Sequence, residues 1–122
     1  MEWTTLKNVA ASCTISVGTA TTACVVTVQL KDWAGNNLTE PGVVMGYISS
    51  DAAGLTQSTV TSATSATGGQ FAIEATKAYM FLSTAAGSFS TSLDGTAANS
   101  RYFNIVLPNG RVVHSTIITF TG

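Results

Sequence analysis

The sequence has little charge of either sign. Only 9% of its 122 residues are Asp, Glu, Lys or Arg, whereas an ordinary soluble domain has about 25%. The five basic residues are spread along the chain, which excludes the positively charged stripe of a nucleic-acid-binding protein. No run approaches the roughly 20 apolar residues of a membrane span, and no charged segment followed by an apolar one opens the chain. We therefore expect no nucleic-acid partner, no membrane partner and synthesis in the cytoplasm.

Groups that could carry catalysis or bind a metal are equally scarce. The chain has one histidine, His114, and its carboxylates are not clustered. Acid–base catalysis, nucleophilic catalysis and metal binding each need several such groups close together. Asp32, Asn36 and Asn37 could offer oxygen atoms to Ca²⁺, but their spacing does not match an EF-hand loop, and turn capping explains all three. We expect no enzymatic activity, no metal and no cofactor.

Hydroxyl groups take the place of charge, since Ser and Thr make up roughly a quarter of the residues. Mean hydropathy is +0.32 and the net charge is −1. A free monomer with so few charges has little protection against association, which indicates that part of its surface is normally buried against copies of itself or other partners. The alternative is a secreted-type β domain whose hydroxyl groups suffice for solubility.

Short alternating segments dominate the chain. About nine candidate strands lie roughly ten residues apart, with turn residues between them and no helical period of any length, which predicts an antiparallel β-sandwich. Residues 1–10 have no period and read as an N-terminal arm, so the sandwich domain is predicted over 11–122. In the Thr- and Ser-rich stretch, we expect one exposed strand near Ser58–Ser62 and then a flexible loop to Gly69. Beyond it, Phe71 and Ile73 are expected to point inward.

The last segment carries the strongest strand signal. Two apolar runs, Tyr102–Leu107 and Val112–Phe120, flank Pro108-Asn109-Gly110, whose residue types favour a turn, so a β-hairpin is predicted. The second run is apolar on both faces. Ile118 and Phe120 are therefore candidate partner contacts, unless they are simply part of the core.

Two cysteines flank an earlier hairpin. Gly18-Thr19 suits a two-residue turn, and that turn would place Cys13 opposite Cys24, within the distance that a disulfide needs. Both residues also lie on apolar strand faces, where free cysteines act as small buried hydrophobic residues. Of the two alternatives we favour free thiols, which suit a reducing compartment.

Three further side chains are candidate partner contacts. Trp3 and Leu6 are the large apolar residues of the arm, and Trp33 lies at the tip of the turn that Asp32 begins. An exposed aromatic residue on an arm or a turn tip often contacts a partner. The alternative for each is that it covers its own domain.

The order of the turns resembles a known family. Val26–Thr39 (VTVQLKDWAGNNLT) has the strand, Asp, Gly-Asn turn and strand found at the start of bacterial and phage immunoglobulin-like domains. Val43-Val44, Tyr47–Gly54 and then Val106–Val113 follow in an order and spacing similar to those of small structural proteins from tailed bacteriophages. The resemblance covers most of the chain from about residue 12. It implies an immunoglobulin-like sandwich in the virion and favours a capsid decoration or cement protein whose partners are the major capsid protein and copies of itself.

The resemblance carries over no catalytic residue. The chain departs from the family at Trp33, Cys13 and Cys24, where small residues are expected. Two other roles stay open: a tail or fibre component, and a receptor- or glycan-binding module that would use Trp33 with Asn36 and Asn37.

Overall fold

Ten β-strands form the regular structure of residues 9–121, the part of the chain that the computed structural model describes. They are β1 (Ser12–Val17), β2 (Ala23–Lys31), β3 (Val43–Ser49), β4 (Ser62–Thr67), β5 (Gly69–Glu74), β6 (Ala78–Leu82), β7 (Ser88–Asp94), β8 (Ser100–Val106), β9 (Val112–His114) and β10 (Ile118–Thr119). Every strand pairing is antiparallel. These residues contain no helix.

The strands form two sheets. The first sheet has the order β1-β2-β7-β4, and the second has the order β10-β8-β3-β6-β5, with β9 also paired to β8. In chain order these layers correspond to the ABED and CFG sheets of an immunoglobulin domain, with β5 and β6 added beside the C strand. The predicted all-β, antiparallel, immunoglobulin-like sandwich is confirmed.

The core lies between the two sheets and is built from alternate residues of each strand. Phe89 of the first sheet stacks on Phe81 of the second, with ring centroids 4.7 Å apart. Phe103 meets Phe81 edge-on at 5.6 Å. The two sheets therefore interlock through three aromatic rings that are each 1% exposed.

One bent segment belongs to both sheets. β4 pairs with β7 in the first sheet, and after Gly68 the chain continues as β5 on β6 in the second. Gly68 has φ +78°, and a Cβ atom there would collide with the carbonyl oxygen of Leu82, so only glycine fits the bend. The strand expected near Ser58–Ser62 was thus placed too early. Hydroxyl-rich sequence gives no periodic signal that fixes such a boundary.

The β1–β2 hairpin has a longer loop than predicted. Val17 pairs with Val26, so Cys13 lies opposite Leu30. A shift of six residues along a strand is about 20 Å, which is too far for a disulfide. The predicted pairing of Cys13 with Cys24 is wrong, and the favoured alternative of free thiols is confirmed.

The final hairpin is present but its second run is broken. β9 and β10 both pair with β8. Ser115 lies between them; its backbone N–H donates to the Phe103 carbonyl, and its Oγ accepts from the Phe103 N–H. Ile118 and Phe120 are 1% and 0% exposed and belong to the core. They are buried by their own chain, so neither is available as a partner contact.

The described chain begins at the junction with the predicted arm. Ala10 is buried, and the Ala11 N–H donates to the Lys31 carbonyl at 2.9 Å. Trp3 and Leu6 lie outside the described residues. The arm boundary at residue 10 stays a prediction.

Candidate functional site

The two outer faces of the sandwich differ in chemistry. Strand alternation turns hydroxyl groups outward from the first sheet, where residues paired across the strands share a face. We call this the hydroxyl face; it comprises Ser12, Thr14, Ser16, Thr27, Ser88, Ser92, Ser62 and Thr64, and Ser90 lies in the same rows but is buried. Val25, 45% exposed, is a large apolar residue within it.

The outer face of the second sheet is apolar. One row of paired residues crosses five strands, and a second, shorter row lies beside it. We call this the apolar sheet face; it comprises Phe71, Met80, Met45, Val106 and Val112 in the first row, with Val43 and Leu82 in the second. Phe71, Val43 and Leu82 are 67%, 52% and 46% exposed. No charged side chain lies in either row.

The sequence produces this face because β6 and residues 43–48 of β3 alternate between two faces without a charged or strongly polar residue. Val44, Gly46 and Ile48 of β3 face the core, so Val43 and Met45 must face outward. A strand that is apolar on both sides suits a sheet covered on both sides. Within residues 9–121 only one side is covered.

Phe71 was expected to point inward, together with Ile73, and this expectation is wrong. Phe71 pairs with Met80 and lies on the outer face, while a bulge between Ala72 and Glu74 leaves Ile73 53% exposed. The inward positions of β5 belong to Gln70 and Ala72. Hydrophobicity alone gave the wrong face because both faces of this edge strand are open enough to accept either type of residue.

A shallow groove of about 270 Å³ lies at the β5–β6 end of the apolar sheet face. Phe71, Met80 and Leu82 line it, with Val43 on the far side. Gln70 lies at its edge and donates from Nε2 to the Ala63 carbonyl at 3.1 Å. Its Oε1 is the single buried polar side-chain atom without a hydrogen-bond partner within residues 9–121.

Polar groups border the face on β3, β8 and β9. Asn104 is fully buried and donates from Nδ2 to Ser49 Oγ at 2.9 Å and to the Tyr47 carbonyl at 3.2 Å. Its Oδ1 then accepts from His114 Nδ1, 2.6 Å away, so that nitrogen carries the hydrogen. The histidine thus has a structural role in holding a buried amide.

Tyr47 completes this border. Its hydroxyl donates to the Gly54 carbonyl at 2.7 Å. Burial, and then the nearby Asp51 carboxylate, raise the pKa of the Tyr47 phenol and keep that donor protonated. The apolar sheet face therefore ends at a fixed network rather than at a mobile loop.

Trp33 lies on the tip of the β2–β3 turn as predicted. Asp32 Oδ1 accepts from the N–H groups of Ala34 and Asn36 at 2.9 and 3.0 Å, which holds the turn. Trp33 is 56% exposed and lines a second shallow cleft of about 160 Å³ together with Val9 and Asn109. The structure does not bring Trp33 next to Ile118 or Phe120, which lie in the core.

The cysteine thiols are placed for packing. Burial raises the pKa of Cys13 to about 11, although the Arg111 charge acts in the opposite direction. Burial also raises the pKa of Cys24, whose thiol donates to the Gly18 carbonyl at 3.4 Å. Across residues 9–121 no three His, Cys, Asp or Glu side chains come together as a metal site would require. Nor does that part of the chain contain a helix long and apolar enough to cross a membrane.

Comparison with known proteins adds one distant likeness. No family model matches the sequence, and no curated protein matches it. Among solved structures, domains 4 and 5 of the S-layer protein SbsC are similar to 93% of this chain at 16% identity, with a TM-score of 0.46. This chain spans about half of that one, 53% of its length.

Proposed function

We propose that this chain is a non-enzymatic virion structural protein that decorates a bacteriophage capsid and stabilises its shell. The observation that carries the proposal is the contrast between the two outer faces. The hydroxyl face is suited to water, whereas the apolar sheet face is suited to burial. A rigid sandwich with this asymmetry can lie flat on a shell, with one face toward the subunits and the other toward solvent.

The size of the apolar sheet face favours a shell as its partner. The two rows, each about 7 Å deep and crossing five and two strands about 4.8 Å apart, give a footprint of about 230 Å². That value is well below the roughly 800 Å² that each partner buries in a stable interface of standard size. A single contact of this size is weak. Many copies on one shell would each add a small contribution across subunit seams.

The resemblance of the turns to small structural proteins of tailed bacteriophages points to the same role. In this proposal the partners are the major capsid protein and copies of this chain, and the protein resides in the virion. The scarcity of charge agrees with it, since a surface that is normally covered needs few charges.

Co-sedimentation with undecorated capsids tests the proposal. Wild-type protein should sediment with capsids at micromolar concentration, and Met45→Lys should lose most of this binding because it places a charge at the centre of the apolar sheet face. Val25→Lys is the matched control, since Val25 lies on the central strand of the opposite sheet and faces outward. The proposal is wrong if wild-type protein stays in the supernatant, or if both variants bind equally well. Binding to isolated tails instead would assign the protein to the tail or a fibre.

The exposure of Trp33 supports a second candidate, a receptor- or glycan-binding module. Sugars pack on aromatic rings beside amide groups, and Asn36 is exposed in the same turn. Trp33→Ala should then abolish binding to host cells or glycans while capsid binding persists. If Trp33→Ala leaves host-cell binding intact, this candidate is excluded.

A further inference from the structure

Strand β5 is an open edge of the second sheet. It pairs with β6 on one side and, within residues 9–121, with nothing on the other. Its outward backbone N–H and C=O groups therefore form an unpaired row to which another strand can be added.

Over Gly69–Ala72 the edge lacks the usual devices that prevent such pairing. Gly69–Ile73 contains no proline and no charged residue, whereas natural edges are commonly protected by both. Phe71 and Ile73 are 67% and 53% exposed. The bulge lies near the end of the strand and leaves Gly69–Ala72 in regular pairing.

The other edges of the sandwich are less suitable. β4, the edge of the first sheet on the same side, consists of Ser, Thr and Ala and carries its own bulge between Ser65 and Thr67. On the opposite side, β1 and β9 lie next to each other across the two sheets. The apolar edge available for a partner is thus β5.

We infer that β5 pairs antiparallel with β5 of a second copy, joining the two second sheets into one continuous sheet. We place the two-fold axis at Phe71, so that Phe71 lies opposite Phe71 of the second copy and Gln70 lies opposite its Ala72. Aromatic pairs directly across antiparallel strands are favourable. Electrostatic repulsion is small because the net charge is only −1 and Glu74, the one charge in β5, pairs with Lys77 at 3.0 Å.

The symmetry of this dimer has a consequence for the apolar sheet face. A two-fold axis perpendicular to the sheet keeps the same face of both copies on one side. The two footprints then merge into a continuous apolar surface of about 460 Å², which is closer to the roughly 800 Å² that one partner buries in a standard stable interface. The use of this doubled surface rests on the proposed capsid role, but the edge pairing itself does not.

The test uses the full chain without capsids. Sedimentation velocity over a concentration series should show a monomer–dimer equilibrium for the wild type. Phe71→Lys and Phe71→Glu should each raise the dissociation constant about tenfold or more, because like charges then lie directly opposite each other. An equimolar mixture of the two variants should restore dimers, since Lys then faces Glu. Met45→Lys should dimerise as the wild type does, because it alters the face but not the edge.

Three results would overturn the inference: a wild type that is monomeric at every concentration, a mixture that does not restore dimers, or a Met45→Lys variant weakened as much as Phe71→Lys. Urea unfolding of each variant verifies that it is folded. The two proposals fail separately, since a dimer that does not bind capsids refutes only the capsid role, and a monomer that binds them refutes only the edge pairing.

Discussion

Gly46 lies directly beneath the ring of Phe81, so that a Cβ atom on Gly46 would come within 2.7 Å of Phe81 Cε2. The ring cannot easily move away because it is stacked on Phe89. A glycine in the middle of a buried strand thus marks a close approach between backbone and core.

Gly46→Ala should therefore destabilise the fold by about 2 kcal/mol through overpacking. The midpoint of urea unfolding measures this change. Gly69→Ala is the matched control, since its Cβ would find its nearest neighbour at 3.8 Å and should change the midpoint little. Equal midpoints for the two variants would show that the core accommodates the methyl group.

Thr76 adopts left-handed backbone geometry, with φ +67° in the turn between β5 and β6. This conformation costs a residue with a Cβ atom roughly 1–2 kcal/mol. The Thr76 N–H donates to the Tyr79 hydroxyl at 2.7 Å, which holds the turn in place. Thr76→Gly should be more stable than Thr76→Ala by about 1 kcal/mol, because both lack the hydroxyl and only glycine relieves the strain. Thermal unfolding of the pair measures the difference, and a more stable alanine variant would contradict it.

Asp51 makes the stability of the β3–β4 loop sensitive to acid. Backbone N–H groups of Thr56 and Leu55 donate to its carboxylate at 2.9 and 3.1 Å, and the Thr56 bond is the main reason that the pKa of Asp51 lies below its usual value. The folded chain therefore holds the proton less tightly than the unfolded chain, so this contribution is present above about pH 4 and is lost as the pH falls below it. Asp51→Asn should show a smaller loss of stability in acid than the wild type. Glu40→Gln, which changes an exposed carboxylate in another loop, should retain the wild-type loss.

Cys13 should make the stability of the fold sensitive to alkali. Its folded pKa of about 11 lies above the ordinary thiol value of 9, so the unfolded chain loses the proton first as the pH rises. The stability that the neutral buried thiol contributes is complete below pH 9 and falls between pH 9 and about 11. Cys13→Ala should show a shallower decline over that range, while Thr14→Ala, an exposed neighbour, should follow the wild type. Parallel declines for all three proteins would contradict the assignment.

Strand alternation let the sequence predict a two-layered β-sandwich, because a side chain that faces the core requires its two neighbours along the strand to face outward. Val44 and Ile48 of β3 are buried and determine the faces of their neighbours in this way, as Phe103 and Ile105 do in β8. Hydroxyl-rich segments gave no such signal, since Thr and Ser are accepted on either face, and β4 was placed too early as a result.

Loop length caused the clearest error. The Gly18-Thr19 pair suits a two-residue turn, yet the Gly18 N–H donates to the Val25 carbonyl and the loop is longer. Each extra loop residue shifts the register of the two strands. Whether Cys13 lies opposite Cys24 therefore depends on the loop length, which turn propensity does not determine. The apolar sheet face was missed for a different reason: the sequence shows that β6 and residues 43–48 are apolar on both sides, but not that, among residues 9–121, no layer covers one of those sides.

The bend at Gly68 has a mechanical consequence. Because one unbroken backbone runs from β4 in one layer to β5 in the other, the layers cannot slide past each other along that side without stretching covalent bonds. On the opposite side only non-covalent packing joins β1 to β9. Under a lateral load we expect the two sheets to separate first at the β1–β9 side, because no backbone connects the two strands there.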